Sequence, residues 1–323
     1  MPGREFPAGK RFAFTIIDDT DVATVENAEP FYRMLDSLGM RTTKTVWPVG
    51  CPEGSKNFSS SQTLEDSDYL AFVLDLQKKG FEITWHGATM ESSRRERTRA
   101  ALQRFRELLG TFPRIHANHA ENRENLYWGR ERIDDRVLKF AFAKLTGAAS
   151  AIYEGHVEGS PYWWGDLCAK HIAYVRNLTF SSLNLAGINP TMPYFDPRRP
   201  LVRGWFSASD ADSVTDFNAL LHPAAQERLE RESGFSILAT HVGKGFVQNG
   251  CVHPVTRRHL EALARRPGWY VPVGELLDWL AERRQSETLP GDEWRRMQWR
   301  WARDVTLRKW GHRKPWFERL EPA

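Results

Sequence analysis

Short, nearly continuous apolar runs that stop abruptly on an acid or an imidazole alternate along this chain with amphipathic stretches of three-to-four spacing. Residues 11–19, Arg-Phe-Ala-Phe-Thr-Ile-Ile-Asp-Asp, predict a buried strand that ends on Asp18 and Asp19, because parallel strands covered on both faces read as continuous apolar runs. The same grammar recurs at 81–86, ending on His86, at 112–119, ending on His119, and at 235–241, ending on His241. Between these lie a helix-like 29–38, a strand-like 42–49, a serine-rich loop at 55–61, and helices at 64–79 and 93–109, the last closed by Gly110 ahead of Pro113. A helix over 134–145 precedes a strand-like run at 150–153, and 162–206 mixes aromatic, proline and glycine residues with no dominant period. Regularity returns with a helix from 223 to 232, the strand to His241, a helix at 253–264, a strand at 269–273 and a last helix at 274–284. Repeated strand–helix units predict a parallel sheet, either barrel or open.

In such sheets ligands sit beyond the carboxyl ends of the strands, so runs ending in Asp, His, His and His predict side chains gathered on one rim. Neighbouring strand residues face opposite sides; Asp18 and Asp19 can therefore divide the work, one holding a metal and one handling a proton. Helix capping or a turn is the alternative for an Asp-Asp pair.

At 323 residues, the chain has length for one large α/β barrel or two ordinary domains. With 41% apolar and 27% charged residues it reads as globular rather than disordered. Cys51, Cys168 and Cys251 lie far apart without a C-x-x-C spacing, which predicts no disulfide framework or structural zinc site and suits a reducing compartment. The N-terminal residues lack the apolar core of a signal peptide, and no run of ~18 apolar residues occurs, so the expectation is a cytoplasmic protein without a membrane span. Residues 290–323 carry nine Lys or Arg against five acids, so this tail holds the whole +4 net charge. A balanced body argues against a nucleic-acid-binding face on the main fold. Trp294, Trp299, Trp301, Trp310 and Trp316 share the tail. It reads either as an interfacial helix resting on an anionic membrane surface, or as a helix whose Trp294, Met297 and Trp301 pack on the body at three-to-four spacing.

The ordered motifs Thr15-Ile16-Ile17-Asp18-Asp19, the strand ending at His86, the run around His116 to His119, the strand ending at His241 and the closing Val271-Pro272-Val273-Gly274-Glu275-Leu276-Leu277 resemble those of the polysaccharide deacetylases, carbohydrate esterase family 4 or NodB-like. The resemblance spans about residues 11–282, so the domains expected are a deacetylase-like body over 1–285 and a basic, Trp-rich extension over 286–323. It implies a distorted β/α barrel of about seven parallel strands with a C-terminal helical extension. It also implies removal of N- or O-acetyl groups from sugars with a divalent metal, usually zinc. The roles it carries over are general base for Asp18, metal ligand for Asp19 and His86, and general acid for His241.

Three positions depart from the family pattern. Thr20 replaces the glycine after the Asp pair, Met90 stands where the second metal histidine falls, and His116-Ala117-Asn118-His119 replaces the Arg-x-Pro motif. A thioether is a soft, weak ligand for a zinc site of carboxylate and imidazole. His119 is therefore expected to supply the third ligand, with His116 second because alternation sets the two on opposite sides.

One carboxylate and two neutral imidazoles leave a position open for water and polarise an acyl carbonyl, while an imidazole suits proton donation to the leaving group. No G-x-S-x-G elbow points to an acyl-enzyme. Tyr162-Trp163-Trp164-Gly165-Asp166, Tyr127-Trp128 and Trp205 are candidates for a sugar platform or for core. Asp210 and Asp212 either orient the acid histidine or form a turn, and Lys244 is placed to neutralise a phosphate or uronate. The function expected is a metal-dependent deacetylase acting on a sugar intermediate of cell-surface polysaccharide or lipopolysaccharide biosynthesis. The substrate would be a nucleotide sugar or a lipid-linked oligosaccharide at the inner membrane face. The alternative is a catalytically inactive carbohydrate-binding relative.

Overall fold

Five of the short apolar runs, joined by two strands the pattern did not foresee, become the seven parallel strands of one closed barrel, seen in a computed structural model that describes residues 5–140 and 152–310. In chain order they are β1 (Phe12–Asp18), β2 (Thr43–Val46), β3 (Glu82–Trp85), β4 (Ile115–Ala117), β5 (Tyr174–Phe180), β6 (Trp205–Ala211) and β7 (Phe235–Thr240). Neighbours in sequence are neighbours in space, and β7 closes on β1 in register from Ala13 opposite Phe235 to Asp18 opposite Thr240. A two-stranded antiparallel ribbon, β8 (Val247–Gln248) and β9 (Cys251–Val252), follows the barrel strands. The barrel is distorted at β1. Its lower half, Phe12 to Phe14, pairs with β10 (Gly268–Tyr270), and only its last residues, Ile17 and Asp18, pair with β2.

Every residue of β1 and β7 is buried, as expected of strands with the barrel interior on one face and helices on the other. The helix foreseen at 29–38 runs from Val25 to Ser37. Thr24 caps it, its hydroxyl accepting from Asn27 N while Asn27 Oδ1 accepts from Thr24 N at 2.8 Å. This reciprocal cap, with Asn at the third position, starts the helix four residues before the expected boundary.

The stretch without a period, 162–206, contains the helix Gly165–His171 and all of β5. The interrupting polar residues of β5, Arg176 and Asn177, are themselves buried, which broke the apolar run. The helix expected over 134–145 and the run at 150–153 lie partly outside the described residues.

The C-terminal helix Gly291–Trp310 packs against β5 and buries Trp294, Met297 and Trp301, while Trp299 and Leu307 are exposed. No helix among the described residues is long and apolar enough to cross a membrane.

Candidate active site

Asp18 and Asp19 end up in different environments. Asp18 and Lys44 are partners across β1 and β2, so they face the same side, and the helix Val25–Ser37 covers that side. The Asp18 carboxylate accepts from Lys44 Nζ at 2.9 Å, Tyr32 Oη at 2.8 Å and Val242 N at 2.9 Å, with no exposure at either charged side chain. The base role expected of Asp18 does not fit this geometry: its carboxylate is sealed beneath the helix and does not line the cleft.

Asp19 opens onto the rim instead. Register sets it beside His241, since Asp19 N donates to Thr240 O at 2.7 Å. Arg176, opposite Ala117 in the β4–β5 ladder, reaches it with two parallel bonds of 2.8 and 2.6 Å. Burial favours the neutral acid at Asp19, but the Arg176 guanidinium and the nearby His86 outweigh it and hold the carboxyl below its usual range.

The hub of the rim is Asp21, which the sequence reading passed over. Its Oδ1 lies 3.5 Å from His86 Nε2, and its Oδ2 lies 3.7 Å from His119 Nε2, 3.3 Å from His241 Nε2 and 3.8 Å from Lys244 Nζ. Burial opposes ionisation, yet the imidazoles of His241 and His86 push its pKa well below the carboxylate range. Oδ1 is buried and accepts no hydrogen bond. His119 occupies the place beside His86, their ring centroids 5.3 Å apart. Met90 sits apart, its sulfur accepting from Ser60 Oγ at 3.0 Å.

His241 is held from both nitrogens: Nε2 faces Asp21, and Nδ1 lies 3.1 Å from Asp212 Oδ1. Burial alone would lower its pKa, but these two carboxylates drive it up to about 10, and Asp212 is drawn down to about 2, chiefly by its bond to His241. Among the described residues no three His, Cys, Asp or Glu side chains form a ready-made metal cage; Asp21 faces His86 through Oδ1 and both His119 and His241 through Oδ2.

Asp19, Asp21, His86, His119, Arg176, Asp212 and His241 line one cleft of about 510 Å³ at the carboxyl end of the barrel. The barrel fold recurs in solved structures. The chain resembles a Mycobacterium smegmatis protein described as a polysaccharide deacetylase, at 13% identity over 90% of this chain and 97% of that one, with a TM-score of 0.53. The fold is that of the polysaccharide deacetylases. A Pseudomonas aeruginosa protein described in the same way matches at 10% identity over 88% and 95% of the two chains, with a TM-score of 0.51. The PuuE allantoinase shares this deacetylase fold at 11% identity over 88% and 96%, with a TM-score of 0.50. No family model and no curated protein matches the sequence.

The other expected contacts separate cleanly. Trp128 and Lys244 line the cleft. His116 does not: it is buried between Trp85 and Trp164, its Nε2 3.0 Å from Asn118 Oδ1, and burial lowers its pKa to about 3. Trp164 is core, donating through Nε1 to Glu124 O at 2.6 Å, and Trp205 is fully buried on β6. Asp166 pairs with Arg95 away from the cleft. Sequence reasoning missed Asp21 and Arg176. The Asp-x-Asp spacing from Asp19 to Asp21, and a lone arginine inside the apolar run 174–180, were the available signals.

Proposed function

We propose that this cleft is a metal-assisted hydrolytic site that removes an acetyl group from a sugar, with each acidic role moved along the chain from the sequence expectation. Asp21, His86 and His119 would hold the divalent cation, Asp19 would be the general base and His241 the general acid. The observation that carries this is the unpartnered Asp21 Oδ1. It is a buried anionic acceptor, in a carboxylate faced by the Nε2 atoms of His86 and His119 at 3.5 and 3.7 Å. A buried acceptor without a donor is costly, and a carboxylate with two imidazoles is a donor set that suits zinc.

When bound, the cation would polarise the acyl oxygen as a Lewis acid. The remaining work falls to the chain. Arg176 keeps Asp19 ionised, so this carboxylate is ready to take a proton from the attacking water. His241, protonated between Asp21 and Asp212, gives its Nε2 proton to the departing nitrogen or oxygen, and Asp212 fixes the ring through Nδ1. Trp128 and Lys244 at the cleft wall suit a sugar ring and an anionic substituent, consistent with a nucleotide sugar or lipid-linked oligosaccharide.

The test is acetate release from N-acetylated sugars and UDP-N-acetylglucosamine by the zinc-loaded protein. Asp19→Asn and His241→Ala should keep zinc and lose ~10² to 10⁴ in rate, the scale of general acid–base catalysis. Unchanged turnover in either variant would remove that residue from its role.

A further inference from the structure

His119 is not held where it stands by the barrel ladder; it lies beyond the end of β4 (Ile115–Ala117), on the connection that follows. What fixes it is Asn122. The Asn122 backbone N donates to His119 O at 3.2 Å, and Asn125 Nδ2 donates to the same carbonyl. The Asn122 side chain then closes back on the ring, with Oδ1 3.0 Å from His119 Nδ1.

The orientation of that amide is not free. Its Nδ2 lies 3.1 Å from Thr89 O and 3.0 Å from Glu124 Oε1. A backbone carbonyl can only accept, so the NH₂ end must face Thr89, which turns the carbonyl end toward His119. An amide oxygen also only accepts. His119 Nδ1 must therefore carry a proton, and in the neutral ring Nε2 then presents its lone pair. That lone pair faces Asp21 Oδ2 at 3.7 Å.

We infer that Asn122 is the positioning residue that makes His119 a metal ligand, by fixing its tautomer so that the Nε2 lone pair faces Asp21. The inference rests on the metal-site reading above and explains how a histidine outside the usual spacing can serve. A metal-ligating histidine whose second nitrogen donates to a fixed acceptor is the common arrangement, and loss of that acceptor typically costs 10- to 100-fold in metal affinity.

Zinc titration of the purified full chain, paired with ¹⁵N NMR of the histidine rings in the zinc-free protein, tests this. Wild type should bind one zinc and show His119 protonated at Nδ1. Asn122→Ala should weaken zinc 10- to 100-fold and populate both tautomers. Asn122→Asp, which keeps an acceptor for Nδ1, should keep the Nδ1–H form and bind more tightly than Asn122→Ala. Wild-type affinity in Asn122→Ala, or a wild-type His119 protonated at Nε2, would overturn the role of Asn122. The ring spectrum decides the matter even if a variant fails to fold. Absence of zinc binding by wild type with His119 in the Nδ1–H form would instead defeat the metal-site reading, leaving the tautomer lock intact.

Discussion

Asp18 and Lys44 meet at 2.9 Å with neither side chain open to solvent, and the hydroxyl of Tyr32 completes the cluster on the same carboxylate oxygen. Burial works against the Lys44 charge, but the Asp18 carboxylate outweighs it and raises its pKa. The pair ties β1 to β2, and through Val242 N it ties β1 to the residue after His241.

Removing one partner of such a pair strands a buried charge, which costs about 3–5 kcal/mol. Lys44→Met and Asp18→Asn should each destabilise by that amount in denaturant unfolding. The double variant should recover part of the loss. Simple addition of the two single effects would show that the ions do not interact as the geometry requires.

Glu124 supplies a pH dependence distant from the proton carriers. Burial raises its pKa to about 7, against hydrogen bonds from Ser93 N and Asn122 Nδ2 and the more distant charge of Arg97. Its folded pKa lies above the unfolded value of about 4.3. The folded state therefore binds the extra proton, and the resulting stability is fully present below pH 4.3 and lost as pH rises through about 7. Glu124→Gln should flatten this decline, which is on the order of 3 kcal/mol. An identical pH–stability curve for wild type and variant would contradict the assignment.

The C-terminal helix behaves as part of the body. Trp294 and Met297 are buried, and the buried Trp301, with Val305, lines the cleft itself. Arg132 lies over both Trp128 and Trp301, at 3.9 and 4.4 Å from their centroids. Truncation after Pro290 should lower the melting temperature markedly, since each large side chain buried contributes ~1.5–3 kcal/mol. An unaltered melting temperature, together with strong binding of the full chain to anionic vesicles, would favour a membrane role for this segment.

How far the sequence carried the account depended on period. The strand ends at Asp19, His86 and His241 were legible because a period of two, or an unbroken apolar run, stops on them, and all three reach the cleft. Asp21 was hidden because it lies beyond β1, where no period operates, and only the folded turn brings it to the imidazoles. The base role that the resemblance carried to Asp18 had no check in the sequence, because side alternation shows that two neighbours diverge without showing which faces the cleft. Lys44, its partner on β2, settles that, and pairing between distant strands is a property of the barrel rather than of either segment.

The central claim is that Asp21, rather than Asp19, anchors a divalent cation with His86 and His119. Zinc titration by calorimetry of the wild type, Asp21→Asn and Asp19→Asn tests it most directly. The account predicts one zinc per chain in the wild type and in Asp19→Asn, and loss of binding in Asp21→Asn with the fold preserved by circular dichroism. Full zinc binding by Asp21→Asn would contradict it, and absence of zinc from the folded wild type would leave a carbohydrate-binding relative of the deacetylases in its place.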